Sequence, residues 1–278
     1  MGAHSGGWRT HGISVEGYRH RRDGLPCQDA WHQESAGRPD ARVTVLAVAD
    51  GAGSRPHSDR GAQLAVRLAT GYFVKRAAAV RLFAGGAGSS AEHGRAAHAM
   101  LAETFADVRD AFLARTRGEG GSGSDDFATT LTVVVLAPDW IGHVSVGDGF
   151  VIVRAGADDG KRLFHLLPQP APVSEYSNET VFLTSRGAPE RIRTECVLDP
   201  EVDGVLLSTD GLAQAAISWF GGHPVEPNAS FANAVFRSLD TPGPDPDEDD
   251  AALAGLLRSD RLSRLNADDK TLLRAVRP

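Results

Sequence analysis

Two hydrophobic periods alternate along the chain. An unbroken apolar run at residues 43–49 stops at Asp50 and passes into a glycine-rich loop, which predicts a strand buried on both faces. Apolar residues then recur at helical spacing from Ser58 to a Gly/Ser break at 85–90, and again over residues 91–116. The first third of the chain therefore predicts one central strand followed by two amphipathic helices.

The remaining chain has mainly the period of strands. Short Gly, Asp and Pro connections join β-rich runs from Phe127 to residue 167, which predicts an antiparallel meander. β content continues through residues 180–200, and a helix near 250–265 precedes a final strand. Near the amino terminus, short strands at 8–18 and 27–35 predict a hairpin with a basic tip.

Composition and charge exclude several classes of protein. The hydrophobic fraction of 41% in 278 residues is that of a globular protein. A formal net charge of -7 disfavours binding to nucleic acid or to anionic membranes. The two cysteines form no disulfide framework, and no signal peptide or membrane-spanning run is recognisable, so we expect a cytoplasmic protein.

Acidic residues recur where predicted strands begin or end. Asp50, Asp148 and Asp210 each follow an apolar run and precede a glycine, while Asp268 and Asp269 lead into the last strand. Each alone is commonly a turn former, but carboxylates on strands of packed sheets can converge. Converging carboxylates require cations, and ligands that are all oxygen atoms favour Mg²⁺ or Mn²⁺ over Zn²⁺. The pattern therefore indicates metal-assisted phosphoester hydrolysis.

Other catalytic chemistries lack their motifs. The sequence contains no nucleophile elbow, no HExxH zinc motif and no correctly spaced P-loop. His57 and His143 have no metal-ligand partner at suitable spacing, and we interpret them as structural or surface residues. Cys27 is interpreted as a small buried hydrophobe.

The order of motifs resembles the metal-dependent protein phosphatase family, type 2C, in its compact bacterial form. Seven short motifs carry the resemblance over nearly the whole chain. They are CQDA (27–30), VLAVADGAGS (45–54), SDRGAQLAV (58–66), ATTL (128–131), VGDG (146–149), LLSTDGL (206–212) and DDKT (268–271).

The resemblance implies an α+β fold in which residues 1–278 form a single four-layer α-β-β-α sandwich with two mostly antiparallel sheets. It also implies a site for two Mn²⁺ or Mg²⁺ ions, with a third ion bound more loosely. Asp50 would bridge the two ions and Gly51 would offer its carbonyl oxygen. Asp210 and Asp268 would hold one ion of the pair, and Asp148 the third ion.

Three departures from the family pattern concern the surroundings of the metal ions. The family usually has Glu-Asp where this chain has Gln28-Asp29, the pair implied to orient metal-bound waters. The family's phosphate-binding arginine falls at Gly24, so Arg19, Arg21 or Arg22 would have to replace it. Ala52 occupies the position of a histidine that is a proposed general acid in many eukaryotic members.

The resemblance implies a monomeric phosphatase that acts on phosphoserine or phosphothreonine in a protein, by in-line attack of a metal-activated water and without a phosphoenzyme. The irregular segment 168–195 would be the flap that selects the substrate. Two alternatives stay open from the sequence. One is a catalytically silent binding or regulatory module, suggested by Gln28 and the displaced arginine. The other is a phosphatase of the same fold that acts on small molecules.

Overall fold

Strands make up two layers of the computed structural model, which describes residues 7–79, 89–118, 123–158, 160–168, 180–221, 223–243 and 245–277. In chain order the strands are β1 (Arg9–Val15), β2 (Asp29–Ala36), β3 (Val43–Asp50), β4 (Leu131–Leu136), β5 (Ile141–Val146), β6 (Phe150–Asp158), β7 (Lys161–Leu166), β8 (Arg193–Val197), β9 (Val202–Ser208), β10 (Ile217–Phe220), β11 (His223–Pro227) and β12 (Lys270–Val276). One sheet has the order β2-β3-β4-β5-β8 and the other β1-β12-β9-β6-β7, with all neighbours antiparallel. Strands β10 and β11 form a separate hairpin.

The described part of the chain forms seven α-helices, four of which lie on the outer faces of the two sheets. They are α1 (Tyr18–Asp23), α2 (Ser58–Ala79), α3 (Ser90–Thr116), α4 (Ala213–Ala216), α5 (Ala229–Asp240), α6 (Pro246–Leu257) and α7 (Asp260–Leu265). Helices α2 and α3 pack on the sheet that contains β3, while α5 and α6 lie against the sheet that contains β1. The α-β-β-α sandwich predicted from the resemblance is therefore confirmed. None of the described helices combines the length and the hydropathy needed to cross a membrane.

The central strand β3 is apolar on both faces because each face meets a different layer. Val45 and Ala47 contribute to the core under α2 and α3, whereas Leu46 and Val48 contribute to the core between the sheets. Val43 to Ala49 are all buried, and the strand ends at Asp50, as the sequence predicts. The chain therefore delivers the Asp50 carboxylate to the end of the sandwich.

The predicted hairpin near the amino terminus is wrong. Strand β1 pairs with β12, whereas β2 pairs with β3 in the opposite sheet. The segment between them contains the short helix α1 where the sequence predicted a turn. Local hydrophobicity identified both strands correctly, but it carries no information about which partner each strand takes.

The predicted meander also divides between the sheets. Strands β4 and β5 pair in one sheet, β6 and β7 pair in the other, and β5 does not pair with β6. The chain crosses at Gly147, whose φ of 100° suits a residue without a side chain. A further strand predicted at 180–185 is absent, because this stretch forms turns.

Both long helices of the first third are confirmed. Helix α3 begins with a capping box in which the Glu92 amide donates to Ser89 Oγ and the Ser89 amide donates to the Glu92 carboxylate. The predicted helix near 250–265 is interrupted, and Ser259 caps α7 after the end of α6. The breaks predicted at 85–90 and 118–124 lie mostly outside the described residues.

Candidate metal and phosphate site

Three acids from separate parts of the chain meet at one end of the sandwich. Asp50 ends β3, Asp148 lies in the connection from β5 to β6, and Asp210 follows β9. One carboxylate oxygen from each residue lies within 4.8 Å of the other two. We call Asp50, Asp148 and Asp210 the acid cluster. The acidic strand ends predicted that these three acids converge together with Asp268 and Asp269, but the latter two lie in a separate group with His20.

Hydrogen bonds with the strand-end threonines fix the backbone at Asp50. Its amide donates to Thr130 Oγ1 at 3.0 Å, and its carbonyl accepts from the Thr130 amide at 2.8 Å and from Thr129 Oγ1 at 2.9 Å. Gly51 follows in a space where an added Cβ would lie 2.6 Å from the Ser58 carbonyl oxygen and 2.8 Å from that of Gln28. Glycine is therefore required at this position by close backbone packing.

Asp29 supports the acid cluster from the neighbouring strand. It is buried and lies opposite Asp50 in the β2–β3 register. Thr209, one residue before Asp210, donates its hydroxyl to Asp29 Oδ2 at 2.7 Å. Asp29 therefore links the β3 end of the site to the β9 end.

Burial and mutual repulsion raise the pKa values of these carboxyl groups. Burial raises the pKa of Asp29 to about 8, with repulsion from Asp269 adding to the shift. Burial, followed by Asp148 and Asp268, raises the pKa of Asp210 to about 7. Burial, followed by Asp29 and Asp210, raises the pKa of Asp50 well above its usual range. The protein therefore concentrates negative charge that a cation would neutralise.

Asp148 is the exposed member of the acid cluster. Protein atoms around its carboxyl group still exclude water from it, and this desolvation raises its pKa. Its Oδ2 accepts a hydrogen bond from Thr180 Oγ1 at 2.8 Å. Thr180 begins the turn segment 180–185, which Arg109 of α3 holds through the carbonyl oxygens of Leu183 and Ser185 at 3.0 and 3.1 Å. The part of the predicted flap that the structure describes therefore touches the acid cluster directly.

The adjacent acids Asp268 and Asp269 have different environments. Asp268 is exposed, and its charge contributes to the raised pKa values of Asp50 and Asp210. Asp269 is buried and accepts hydrogen bonds from the Gly17 amide, His20 Nδ1 and the Gln28 amide, at 2.7, 2.8 and 2.6 Å.

Ligand atoms of His20, Asp268 and Asp269 also lie within 4.8 Å of one another. Both oxygens of Asp269 already accept N–H groups, so this second group is a hydrogen-bonded anchor. The sequence pattern placed Asp269 among the acids expected to converge on cations, and it gave no indication of a role for His20. The sequence signal for the role of Asp269 was the pair of adjacent acids before the last strand. Side chains alternate along a strand, so one acid of such a pair turns inward and the other stays outside.

The three candidate phosphate-binding arginines lie on α1. Arg19, Arg21 and Arg22 are exposed, and Arg22 forms an ion pair with Asp23 at 2.7 Å. The Arg19 amide donates to the Ala267 carbonyl at 3.3 Å, which places α1 beside the turn that carries Asp268. The basic segment therefore lies next to the acids but on the surface.

An unpartnered acceptor marks the same end of the molecule. Gln28 Oε1 is buried and has no hydrogen-bond partner among the described residues. An added Cβ on Gly53 would lie 3.6 Å from this oxygen, so it faces the glycine-rich loop after Asp50. Buried acceptors normally find a donor, and a hydrated cation would supply one. Oxygen donors, excess negative charge and this acceptor together fit Mg²⁺ or Mn²⁺.

Sequence comparison identifies the family. The sequence profile described as Protein phosphatase 2C matches residues 16–258. The chain belongs to the protein phosphatase 2C family. A relative from Escherichia coli (strain K12), serine/threonine-protein phosphatase 3, is 28% identical over 272 residues, which cover 97% of this chain and 98% of that protein. The predicted family and phosphatase function are therefore confirmed.

Two solved structures of serine/threonine phosphatases share the fold. The serine-threonine phosphatase 2C from Toxoplasma gondii matches with a TM-score of 0.66 at 12% identity, covering 98% of this chain and 95% of that one. The S. agalactiae serine/threonine phosphatase matches with a TM-score of 0.62 at 16% identity, covering 98% and 100%. At these identities the matches support the fold, and the assignment of site residues depends on the geometry above.

Proposed function

We propose that this protein phosphatase 2C is a Mn²⁺- or Mg²⁺-dependent enzyme that hydrolyses phosphoserine or phosphothreonine in proteins. The observation that carries the proposal is the convergence of Asp50, Asp148 and Asp210 within 4.8 Å. The name of the Escherichia coli relative supports the serine/threonine specificity. The exposed arginines beside the acids support a phosphorylated substrate.

The metal ligands in this proposal are oxygen atoms. Asp50 and the Gly51 carbonyl oxygen would be ligands of the two ions, and Asp210 and Asp268 would hold one ion of the pair. Asp148 would hold a third ion more loosely, in keeping with its exposure. Bound ions would supply positive charge to the phosphate and lower the pKa of the attacking water.

Protein groups around the ligands would orient the reactants. Asp29, held by Thr209, and Gln28, with its unpartnered oxygen, would accept hydrogen bonds from waters in the site. Arg19, Arg21 or Arg22 would bind the phosphate oxygens, because a guanidinium matches them with two parallel N–H groups. Ala52 cannot transfer a proton, so the leaving oxygen would take its proton from water.

The proposed setting is cytoplasmic and the proposed state is a monomer. Two observations support the cytoplasmic setting. Cys27 and Cys196 are both free thiols, and burial raises the pKa of Cys196 to about 11 and that of Cys27 still further. Unreactive free thiols suit a reducing compartment.

Turnover assays with matched variants test the function. We expect Mn²⁺-dependent hydrolysis of p-nitrophenyl phosphate and of a phosphothreonine peptide, abolished by EDTA and by Asp50→Asn or Asp210→Asn. Asp40→Asn is the matched control, because Asp40 is exposed and forms an ion pair with Arg38 at 3.5 Å. Mn²⁺ binding without turnover would support the silent module instead. A strong preference for nucleotides or sugar phosphates over phosphopeptides would change the substrate class.

A further inference from the structure

Asp269 is an acid that the proposed chemistry leaves without a role. Its residue is 2% exposed, and its two oxygens accept three N–H groups. Oδ1 accepts the Gly17 amide at 2.7 Å and His20 Nδ1 at 2.8 Å, while Oδ2 accepts the Gln28 amide at 2.6 Å. A carboxylate with this many donors is a strong and specific anchor, because charge-assisted hydrogen bonds exceed neutral ones.

The three donors span the segment that carries the arginines. Gly17 is the residue before α1, His20 lies within it, and Gln28 immediately precedes β2. One side chain at the start of β12 therefore closes the whole excursion from residue 17 to residue 28. The excursion joins the two sheets, since β1 and β2 belong to different ones.

Helix α1 has little stability of its own. It has six residues, no side-chain cap at its amino end and no acid in its first turn. Isolated helices of this length are unstable in water, so tertiary contacts must hold α1. His20 is the buried residue of α1, and its Nδ1 forms a hydrogen bond with the Asp269 carboxylate.

The same anchor sets the distance between α1 and Asp268. An added Cβ on Gly17 would overlap the backbone of Asp268, so the segment lies in direct contact with this turn. Lys270 fixes the turn itself, because its Nζ donates to the carbonyl oxygens of Asn266 and Asp268 at 2.8 and 2.7 Å. Release of α1 from Asp269 would leave it joined to this turn by the longer bond from the Arg19 amide to the Ala267 carbonyl at 3.3 Å, so the arginine side chains would be placed less firmly relative to the turn.

We propose that Asp269 is a positioning residue that holds α1, and with it Arg19 and Arg21, at the site where the phosphorylated substrate binds. The proposal rests on the proposed phosphatase function. Asp269 affects the affinity for substrate, and it does not ligate a metal ion because its oxygens are occupied by Gly17, His20 and Gln28.

The anchor requires a carboxylate. Three N–H donors converge on two oxygens, and an asparagine side chain offers one acceptor oxygen and an NH₂ group that would face a donor. Asp269→Asn keeps the size of the side chain and removes part of the anchor. It is therefore the variant that separates hydrogen bonding from packing.

A double-mutant cycle tests the proposal through KM and kcat. With a phosphothreonine peptide at saturating Mn²⁺, we expect Asp269→Asn to raise KM about tenfold and to leave kcat within about threefold. The combined variant Arg19→Ala/Arg21→Ala should raise KM similarly, and adding Asp269→Asn to it should change KM little, because the two act through one element. Additive effects on KM, or a collapse of kcat, would overturn the proposal.

Two measurements independent of turnover accompany the cycle. Calorimetric titration should give the same Mn²⁺ affinity for Asp269→Asn and the wild type, and a marked loss of affinity would show that Asp269 belongs to the metal site. The ring ¹⁵N signals of His20 should shift in Asp269→Asn, and unchanged signals would contradict the anchor.

Controls distinguish this inference from the proposed function. Asp249→Asn is the matched variant, because Asp249 Oδ2 accepts the Gly243 amide at 2.7 Å and closes a loop away from the acid cluster; it should leave KM unchanged. If Asp269→Asn does not fold, His20→Leu removes one of the three donors and keeps an apolar side chain at this buried position. Its KM should rise by less than tenfold, and an unchanged KM would refute the positioning role. An inactive wild type would refute the proposed function, whereas an active wild type with an unchanged KM in Asp269→Asn refutes only the positioning role.

Discussion

Asp29 and Asp50 are register partners in the antiparallel pairing of β2 and β3. Like charges directly opposite one another destabilise a sheet, and burial increases the penalty. Charge repulsion from Asp29 contributes to the raised pKa of Asp50, after the effect of burial. The protein thus keeps an arrangement that destabilises its metal-free form.

Asp50→Asn should exchange activity for stability. The amide removes a buried charge and can still hydrogen-bond to Asp210, with which the Asp50 side chain interacts. In EDTA we expect the melting temperature to rise by about 2–4 °C, as for a gain near 1 kcal/mol, while Mn²⁺-dependent turnover is lost. Differential scanning calorimetry checks the shift, with Asp40→Asn as control. A lower melting temperature for Asp50→Asn would contradict the repulsion argument.

The metal-free protein should lose stability from its acid cluster as pH rises. Asp210, with a pKa of about 7 in the fold against an ordinary value of 3.8, binds its proton more tightly in the folded chain. Its stabilising contribution to the free energy of unfolding is therefore complete below about pH 4 and is lost as pH rises through about 7. In EDTA, urea unfolding should show that the free energy of unfolding of Asp210→Asn rises relative to that of the wild type between pH 5 and pH 8. A constant difference across this range would refute the assignment.

His143 should produce the opposite pH dependence. It lies on β5, 2% exposed, and neither ring nitrogen has a partner among the described residues. Burial lowers its pKa from 6.5 to about 4, so the unfolded chain binds the proton better and stability falls as pH drops from about 6.5 toward 4. Between pH 8 and pH 5 the wild type should lose about 2 kcal/mol of unfolding free energy through His143, and His143→Leu should lack this loss.

Urea unfolding at the two pH values measures the effect, with a surface histidine as the reference. His165→Gln on β7 changes an exposed histidine and is the matched control. Equal pH dependence in wild type and His143→Leu would show that His143 does not remain neutral in the fold.

Two glycine-to-alanine substitutions should act in opposite directions. An added Cβ on Gly211 would overlap the Asp269 carbonyl oxygen, so Gly211→Ala must shift the backbone beside Asp210. We expect a loss of more than about 2 kcal/mol, as in overpacked sites, together with weaker Mn²⁺ binding. Gly94 in α3 has open space around it, and Gly94→Ala should gain up to about 1 kcal/mol. Chemical denaturation and calorimetric titration compare the two variants.

Much of the fold followed from local patterns. The sequence predicted the run before Asp50, the two long helices and the acidic strand ends. Burial on both faces, helical spacing and abrupt acid-glycine endings are all local signals. The convergence of Asp50, Asp148 and Asp210 was predicted from repetition of one such signal. The motif order then supplied the architecture that periodicity alone left open.

What the sequence could not predict depends on distant contacts. Helix α1 forms where a turn was expected, because Asp269, 249 residues away from His20, buries that histidine. The segment 180–185 contains strand-forming residues, yet Arg109 of α3 holds its carbonyl oxygens in turns. In both cases long-range partners override the local preference.

The two sheets contribute different ligands to the proposed centre, since Asp50 ends a strand of one sheet while Asp210 and Asp268 border strands of the other. Metal ions held between them would cross-link the sandwich, and at a free concentration one hundred times Kd the gain would be about 2.7 kcal/mol. Limited proteolysis should therefore be slower with Mn²⁺ than with EDTA, and Asp50→Asn should lose this protection. The supply of the bound metal would then govern how long the polypeptide survives among cellular proteases, so a cell starved of that metal would hold fewer copies of it as well as less active ones.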